Sequence, residues 1–336
     1  MRFQLLLAAC LVFVALAFIA CNQNSPTKQP DLSNVSIKPL MIHRYEQALF
    51  TLPTDSLGIG LQKLLPEFEL FIGQDFNNAT SLLQMQNYLN DPGIQEGWLA
   101  SEKMFHSMQT QEAALTQAFK TIKYYLSNWQ QPEIYTFISG YDVENGIFMT
   151  ANNLVIPIDN YLGAAYKPYK QVGIPIYIIE RMEPNYLIPD VIKTIATVQF
   201  ADEPLGKSLV EQMVVAGKNL YFTQQILANT PDYLIIGYNK EQMEWCKRNE
   251  SEMWAFLVSQ KLLFNNNKNI TSKFMAEAPF TDGFPKEGPG RTGHFIGWQI
   301  IESYMHNQPK TALSTLMQNT DYQDIFNKSN YKPKRK

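Results

Sequence analysis

"IYTFISGYDVENGIFMTANNLVIPI", residues 134–158, is the stretch that decides the fold. Ile134 to Ile138 is rich in β-branched and aromatic residues. Asn145-Gly146 follows, the strongest short-range hairpin signal, and then Ile147 to Thr150. Asn152-Asn153 reads as a second tight turn leading into Leu154 to Ile158. These signs predict a three-stranded antiparallel meander. Pro157 has no amide hydrogen to offer a ladder, so its strand ends there or lies at a sheet edge.

Helical patterns lie on both sides. Upstream they cover 43–51, 55–72, 79–90 and 94–108, with Pro92-Gly93 as the break between the last two. Thr110 to Trp129 carries apolar residues at 115, 118, 119, 122, 126 and 129, one face of a helix. Downstream, Pro189 suits the first turn of a helix running to about Phe200. Asp202 and Pro204 mark the start of a long helix over about 204–228. Asn249 to Glu252 resembles a capping box before MWAFLVSQKLLF. Gly288 to Gly293 is a turn-rich loop, followed by a helix bearing Phe295, Ile296, Trp298, Ile300, Ile301 and Tyr304. The expected fold class is α+β and helix-dominated: one large domain over 37–329 with a small sheet.

The N-terminus reads differently. Met1-Arg2 is a short positive start, and Phe3 to Ala20 is eighteen residues with only Gln4 polar. Residues 1–20 therefore have the outline of a secretory signal. Phe18-Ile19-Ala20-Cys21 resembles a bacterial lipobox, in which Cys21 becomes the acylated N-terminus. Leu7 to Cys10 is a cleaner box, but it leaves an apolar core of about seven residues, the low end of what works. An ordinary signal with an incidental cysteine, or an uncleaved anchor, are the competing readings. Each buried methylene contributes roughly 0.8 kcal/mol, so two or three chains on Cys21 make attachment effectively permanent. Residues 22–36, NQNSPTKQPDLSNVS, contain no aromatic residue and form a linker of about 20 Å reach. The absence of an acidic run after Cys21 favours a body facing the periplasm. No later run approaches a membrane-spanning length.

A net charge of −3 argues against a nucleic-acid partner, which wants a basic face. The basic cluster Lys332 to Lys336, within the tail 330–336, reads as solvated. Removing the signal takes Cys10 and acylation uses Cys21. Cys246 is then left alone, expected as a buried, inert thiol.

The histidines, at 43, 106, 294 and 306, include no pair one helical turn apart, so no H-E-x-x-H zinc site is spelled. There is no G-x-S-x-G elbow, phosphate loop or dinucleotide fingerprint. No catalytic residue, metal or cofactor is expected. Asp159, after the last strand, and Arg291 and His294, at the entry to a helix, are the candidate cleft residues. Each also has a structural reading, as a turn acceptor for Asp159 and as tight packing for the other two. Glu250 and Glu252 read as capping groups.

Four phrases are shared with a known family: the box at Cys21, "PIDNYLGAAYKPYKQVGIPIYIIERMEPNYLIPDVI" (157–192), "IIGYNKEQMEWCKRNESEMW" (235–254) and "PGRTGHFIGWQIIESYM" (289–305). Together they resemble the gliding-motility lipoprotein B (GldB) family of Bacteroidetes-type bacteria. The resemblance implies a lipoprotein of the cell envelope, tied to gliding motility and type IX secretion. Its expected partners are the membrane, through the acyl chains, and other envelope proteins of that machinery. It also implies a distant likeness to zincin-type peptidases. The helix from Pro189 to Phe200 carries no histidine, so the metal function does not transfer. The expected role is that of a non-catalytic accessory component. The alternative is a hydrolase, or a peptide- or glycan-binding protein, with an atypical cleft site.

Overall fold

The computed structural model describes residues 30–201 and 207–334. The expected signal segment, Cys21, most of the expected linker, the expected helix entry at Asp202 and Pro204 and the last two residues of the basic tail lie outside the described residues. Residues from Asn34 onward cluster into one unit.

That unit has a small sheet, but it is not a meander. Its strands are β1 (Ile42–Arg44), β2 (Glu133–Phe137), β3 (Phe148–Thr150) and β4 (Asn153–Pro157), in the order β1-β2-β4-β3. β1 pairs with β2 in parallel, and β2 pairs with β4 in parallel, Ile134 opposite Leu154 and Thr136 opposite Ile156. Only β3 runs antiparallel, against β4. The expected three-stranded antiparallel sheet is therefore corrected to a four-stranded mixed one.

The physical reason is visible in β4. Leu154, Val155 and Ile156 are all fully buried, an unbroken apolar run of the kind a parallel strand covered on both faces requires. The Asn145-Gly146 pair does not join β2 to β3 as a hairpin. Asp142 captures the loop instead: its Oδ1 accepts from the N–H groups of Glu144 (3.0 Å) and Asn145 (3.1 Å). The second turn does form a hairpin, one residue earlier than expected, with Ala151 at φ +44°. Pro157 closes an interior strand, yet β3 reaches only to Val155, so no amide is missed there. β1 falls where a helix was expected from residue 43; three residues are too few to show a period of two.

The helices are α1 (Tyr45–Phe50), α2 (Leu57–Ile72), α3 (Ala79–Asn90), α4 (Pro92–Met104), α5 (Gln109–Tyr125), α6 (Lys167–Gln171), α7 (Ile176–Ile179), α8 (Leu187–Gln199), α9 (Leu209–Ile226), α10 (Asp232–Ile236), α11 (Lys240–Ser259), α12 (Lys268–Met275), α13 (Thr292–Asn307), α14 (Leu313–Gln318) and α15 (Tyr322–Ser329). Pro92 and Gly93 open α4 rather than separate it from α3, because Asp91 caps their end by accepting from Gly93 and Ile94 N–H. The expected capping box at 249–252 is also corrected. α11 begins at Lys240, capped reciprocally by Asn239 and Gln242, and Asn249 lies inside it, donating its side-chain amide to Trp245 O (2.8 Å).

β2 divides the apolar interior by its period of two. Tyr135 and Phe137 face a cluster built on α1 to α3 around Tyr45, Leu49, Leu61 and Phe68. Ile134 and Ile138 face the main core, which takes the predicted stripe of α5 (Leu115, Ala118, Phe119, Ile122) and the buried faces of α8, α9 and α13. Buried Glu46 joins α1 to both strands, accepting from Arg44 Nε (2.7 Å) and from the Thr136 hydroxyl (2.8 Å).

Candidate functional site

The three expected site residues are not one constellation. Asp159 is fully buried in the turn after β4. Its carboxylate accepts from Ser139 N–H (2.9 Å), the Ser139 hydroxyl (3.0 Å) and Tyr141 N–H (2.8 Å). Burial pushes its carboxyl up, and these donors pull the other way. Gly140 and Tyr141 both stand at positive φ, +73° and +65°, so Asp159 holds a strained loop in place. Its turn-acceptor reading is the one realised.

Arg291 and His294 lie together at the start of α13. Arg291 takes the left-handed conformation at φ +54°, and its side chain is only 11 % exposed. Its Nε pairs with Glu277 (3.1 Å), and its guanidinium lies over the Tyr238 ring while donating to Ile236 O (3.5 Å), the last carbonyl of α10, and to Gly237 O (3.3 Å) just beyond it. The His294 ring nitrogen Nε2 meets Met275 O at 3.1 Å. Burial, then the charge of Arg291, press its pKa down to about 3, so the imidazole is neutral.

The open site lies beside them and was missed from sequence. A cleft of about 490 Å³ runs between β3 with its preceding loop and α8. Asp190, Lys193, Thr194 and Thr197 line it from one face of α8, the spacing that places side chains above one another on a helix. Arg181 lines it from the turn after α7, and Asn160 and Tyr161 from the turn after β4. Lys193 pairs with Asp190 (2.8 Å), which also accepts from the Tyr161 hydroxyl (3.0 Å). Arg181 pairs with Glu277 (2.8 Å), the carboxylate that Arg291 holds from its other side.

The cations converge on one glycine. A Cβ built on Gly237, at φ +79°, would stand 3.5 Å from Lys193 Nζ, 3.6 Å from Arg291 Nη2 and 3.8 Å from Arg181 Nη1. Burial lowers the Lys193 ammonium against the pull of Asp190. For Arg181 burial also works downward, but Glu277 and Asp190 outweigh it and raise the guanidinium. The i,i+3 spacing of Asp190 and Lys193 offered a local signal; Arg181 and Gly237 lie within the family phrases but in no chemical motif, and Glu277 lies in neither.

A family profile described as Gliding motility protein GldB matches residues 25–333, nearly the whole chain. The chain belongs to the GldB family. It matches no curated protein and no solved structure, so the zincin-type likeness has no support.

GldB membership makes the chain a lipoprotein-type envelope protein related to gliding motility. Among the described residues no helix is long and apolar enough to cross a membrane. Nor, among them, do three or more His, Cys, Asp or Glu gather as a possible metal site. Cys246, the one cysteine among the described residues, is buried, and burial pushes its thiol well above its ordinary range.

Proposed function

We propose that this GldB-family chain is anchored by acyl chains on Cys21 and faces the periplasm as a non-catalytic accessory component of the gliding and type IX secretion machinery. In this reading it acts by contact, and the cleft between β3 and α8 is where it does so. One observation carries the preference for binding over chemistry. The ionisable groups of the cleft are committed to one another: Lys193 and Tyr161 to Asp190, Arg181 to Glu277. Pairs of this kind fix the charges of a docking surface in place and give it register with a partner.

The test is complementation of a deletion strain. The double variant Tyr161→Phe, Asp190→Asn removes two of the cleft's titrating groups with little change of shape, and spreading on agar should persist. Loss of spreading with the variant folded and at normal abundance, together with turnover of a cleft-bound peptide by the wild type but not by the variant, would end the non-catalytic reading. Cys21→Ser should abolish acyl labelling and shift the protein out of the membrane fraction. Continued labelling would remove the anchor.

A further inference from the structure

Resting on the cleft as a contact site, we infer that it takes an extended peptide carrying one acidic side chain, seated along the free edge of β3 with its carboxylate between Arg181 and Lys193. Three observations converge on this occupant.

The first is the edge itself. β3 ends the sheet, and residues 146–149 line the cleft. Thr150 faces Asn153 across a two-residue turn, so Thr150 and Phe148 direct their amide groups at β4. Met149, between them, therefore presents its N–H and C=O outward, on the cleft side. An added strand pairs with groups so placed.

The second is charge. Arg181, Lys193 and Arg291 stand against Asp190 and Glu277, leaving a formal excess of one positive charge. One carboxylate balances that; a doubly charged phosphate does not. Arg181 Nη1 and Lys193 Nζ lie no more than 7.3 Å apart, because they fall 3.8 and 3.5 Å from the point where Gly237 lacks a side chain. A carboxylate reaching roughly 2.8 Å from each oxygen bridges that distance.

The third is Asn160. It is only 6 % exposed and lines the cleft, its Nδ2 donates to Asp142 O (2.7 Å), and its Oδ1 has no partner. A buried acceptor left unmet is costly. The fold covers this oxygen, so a peptide N–H would meet it only after a small shift of the neighbouring side chains. Ile147, Phe148, Ile178 and Val198 supply apolar walls for flanking side chains.

The experiment pans a randomised seven-residue peptide library on the full-length, detergent-solubilised lipoprotein, then measures affinities of the selected peptides by fluorescence anisotropy. Selected peptides should share an Asp or Glu at one position, and replacing it by Asn or Gln should weaken binding about tenfold. Lys193→Gln and Arg181→Gln should each bring the acidic peptide down to the level of its amide counterpart. Asp190→Asn, which raises the local charge, should tighten it. A merely structural Asp190 would not move affinity in that direction.

Selection of peptides without a shared acid, or affinities indifferent to Lys193→Gln and Arg181→Gln in folded protein, overturns the inference. So does failure to select any peptide. Binding of phosphatidylglycerol vesicles that depends on the same two residues and displaces the peptide would assign the site to a lipid headgroup instead. The two readings fail separately. Mass spectrometry showing selected peptides cleaved would sink the non-catalytic role yet leave the ligand class standing. No selection, with spreading still restored, would sink only the ligand.

Discussion

Changing Gly297 to Ala adds one methyl group where two helices touch backbone to backbone. α9 and α13 cross at Gly217 and Gly297. A Cβ on Gly297 would stand 1.8 Å from Met213 O and 2.5 Å from Met213 C. Carbon-to-oxygen contacts normally sit near 3.3 Å or beyond, so the helices must part by more than an ångström. No rotamer can relieve this, since the obstacle is a carbonyl of the facing helix. Overpacking costs about 1–3 kcal/mol even where side chains can yield, so about 3 kcal/mol is the expected loss. Unfolding entropy of about 2.1 cal/mol/K per residue, over the roughly 300-residue body, turns that into a melting-point drop of about 5 °C. The assay is thermal unfolding followed by circular dichroism at 222 nm. Gly217→Ala meets Gly297 O at 2.2 Å and should behave alike. The double variant should cost less than the two singles together, because one separation accommodates both methyls. Gly58→Ala is the control. Its Cβ meets the movable side chain of Asn77 at 3.2 Å and that of Leu82 at an ordinary 3.6 Å, so better helix propensity should leave stability unchanged or higher. A Gly297→Ala protein melting within a degree of wild type would refute the close crossing.

Three further outcomes follow from the buried polar groups. Asp159→Asn turns an amide toward donors that need an acceptor, and should cost about 2–3 kcal/mol in urea unfolding while leaving helix content intact. His294 is a base pressed to about 3 in the fold, so between about pH 6.5 and 3 the unfolded chain binds more protons than the folded one. Its contribution to stability is present above that window and is lost as pH falls through it, with a slope approaching 1.4 kcal/mol per pH unit; His294→Gln should flatten the urea midpoint over the same range. Glu302 runs oppositely: burial raises it to about 7, so its contribution is full below about pH 4.5 and is lost as pH rises through 7. Glu302→Gln should therefore stabilise the protein at pH 8 and change little at pH 4, as urea midpoints at the two pH values will show.

Local patterns were readable wherever one element decides its own fate. The apolar positions 115, 118, 119 and 122 marked the buried stripe of α5, and the run from Phe295 to Tyr304 marked α13, because helical spacing alone brings such residues to one face. Asn249 to Glu252 misled because a capping pattern signals a helix start only when the residues before it are not helical, and Asn239 with Gln242 had already begun α11. Of the site, Asp159, Arg291 and His294 were picked for their glycine-rich or strand-end neighbourhoods. Those neighbourhoods hold buried, paired groups, whereas Arg181 and Lys193, which line the cleft, sit in no chemical motif.

What the chain by itself determined is its helical, α+β character, its GldB membership and the burial of Cys246, since each is written in the order of neighbouring residues. Only tertiary structure decided that β4 lies between β2 and β3, and that Arg181, Lys193, Gly237, Glu277 and Arg291 meet beside one cleft. The reason is that periodicity states which face a segment buries but not which distant segment covers it. That choice is settled by competition among many non-local pairings of equal local merit, and it is resolved only when the whole core packs at once.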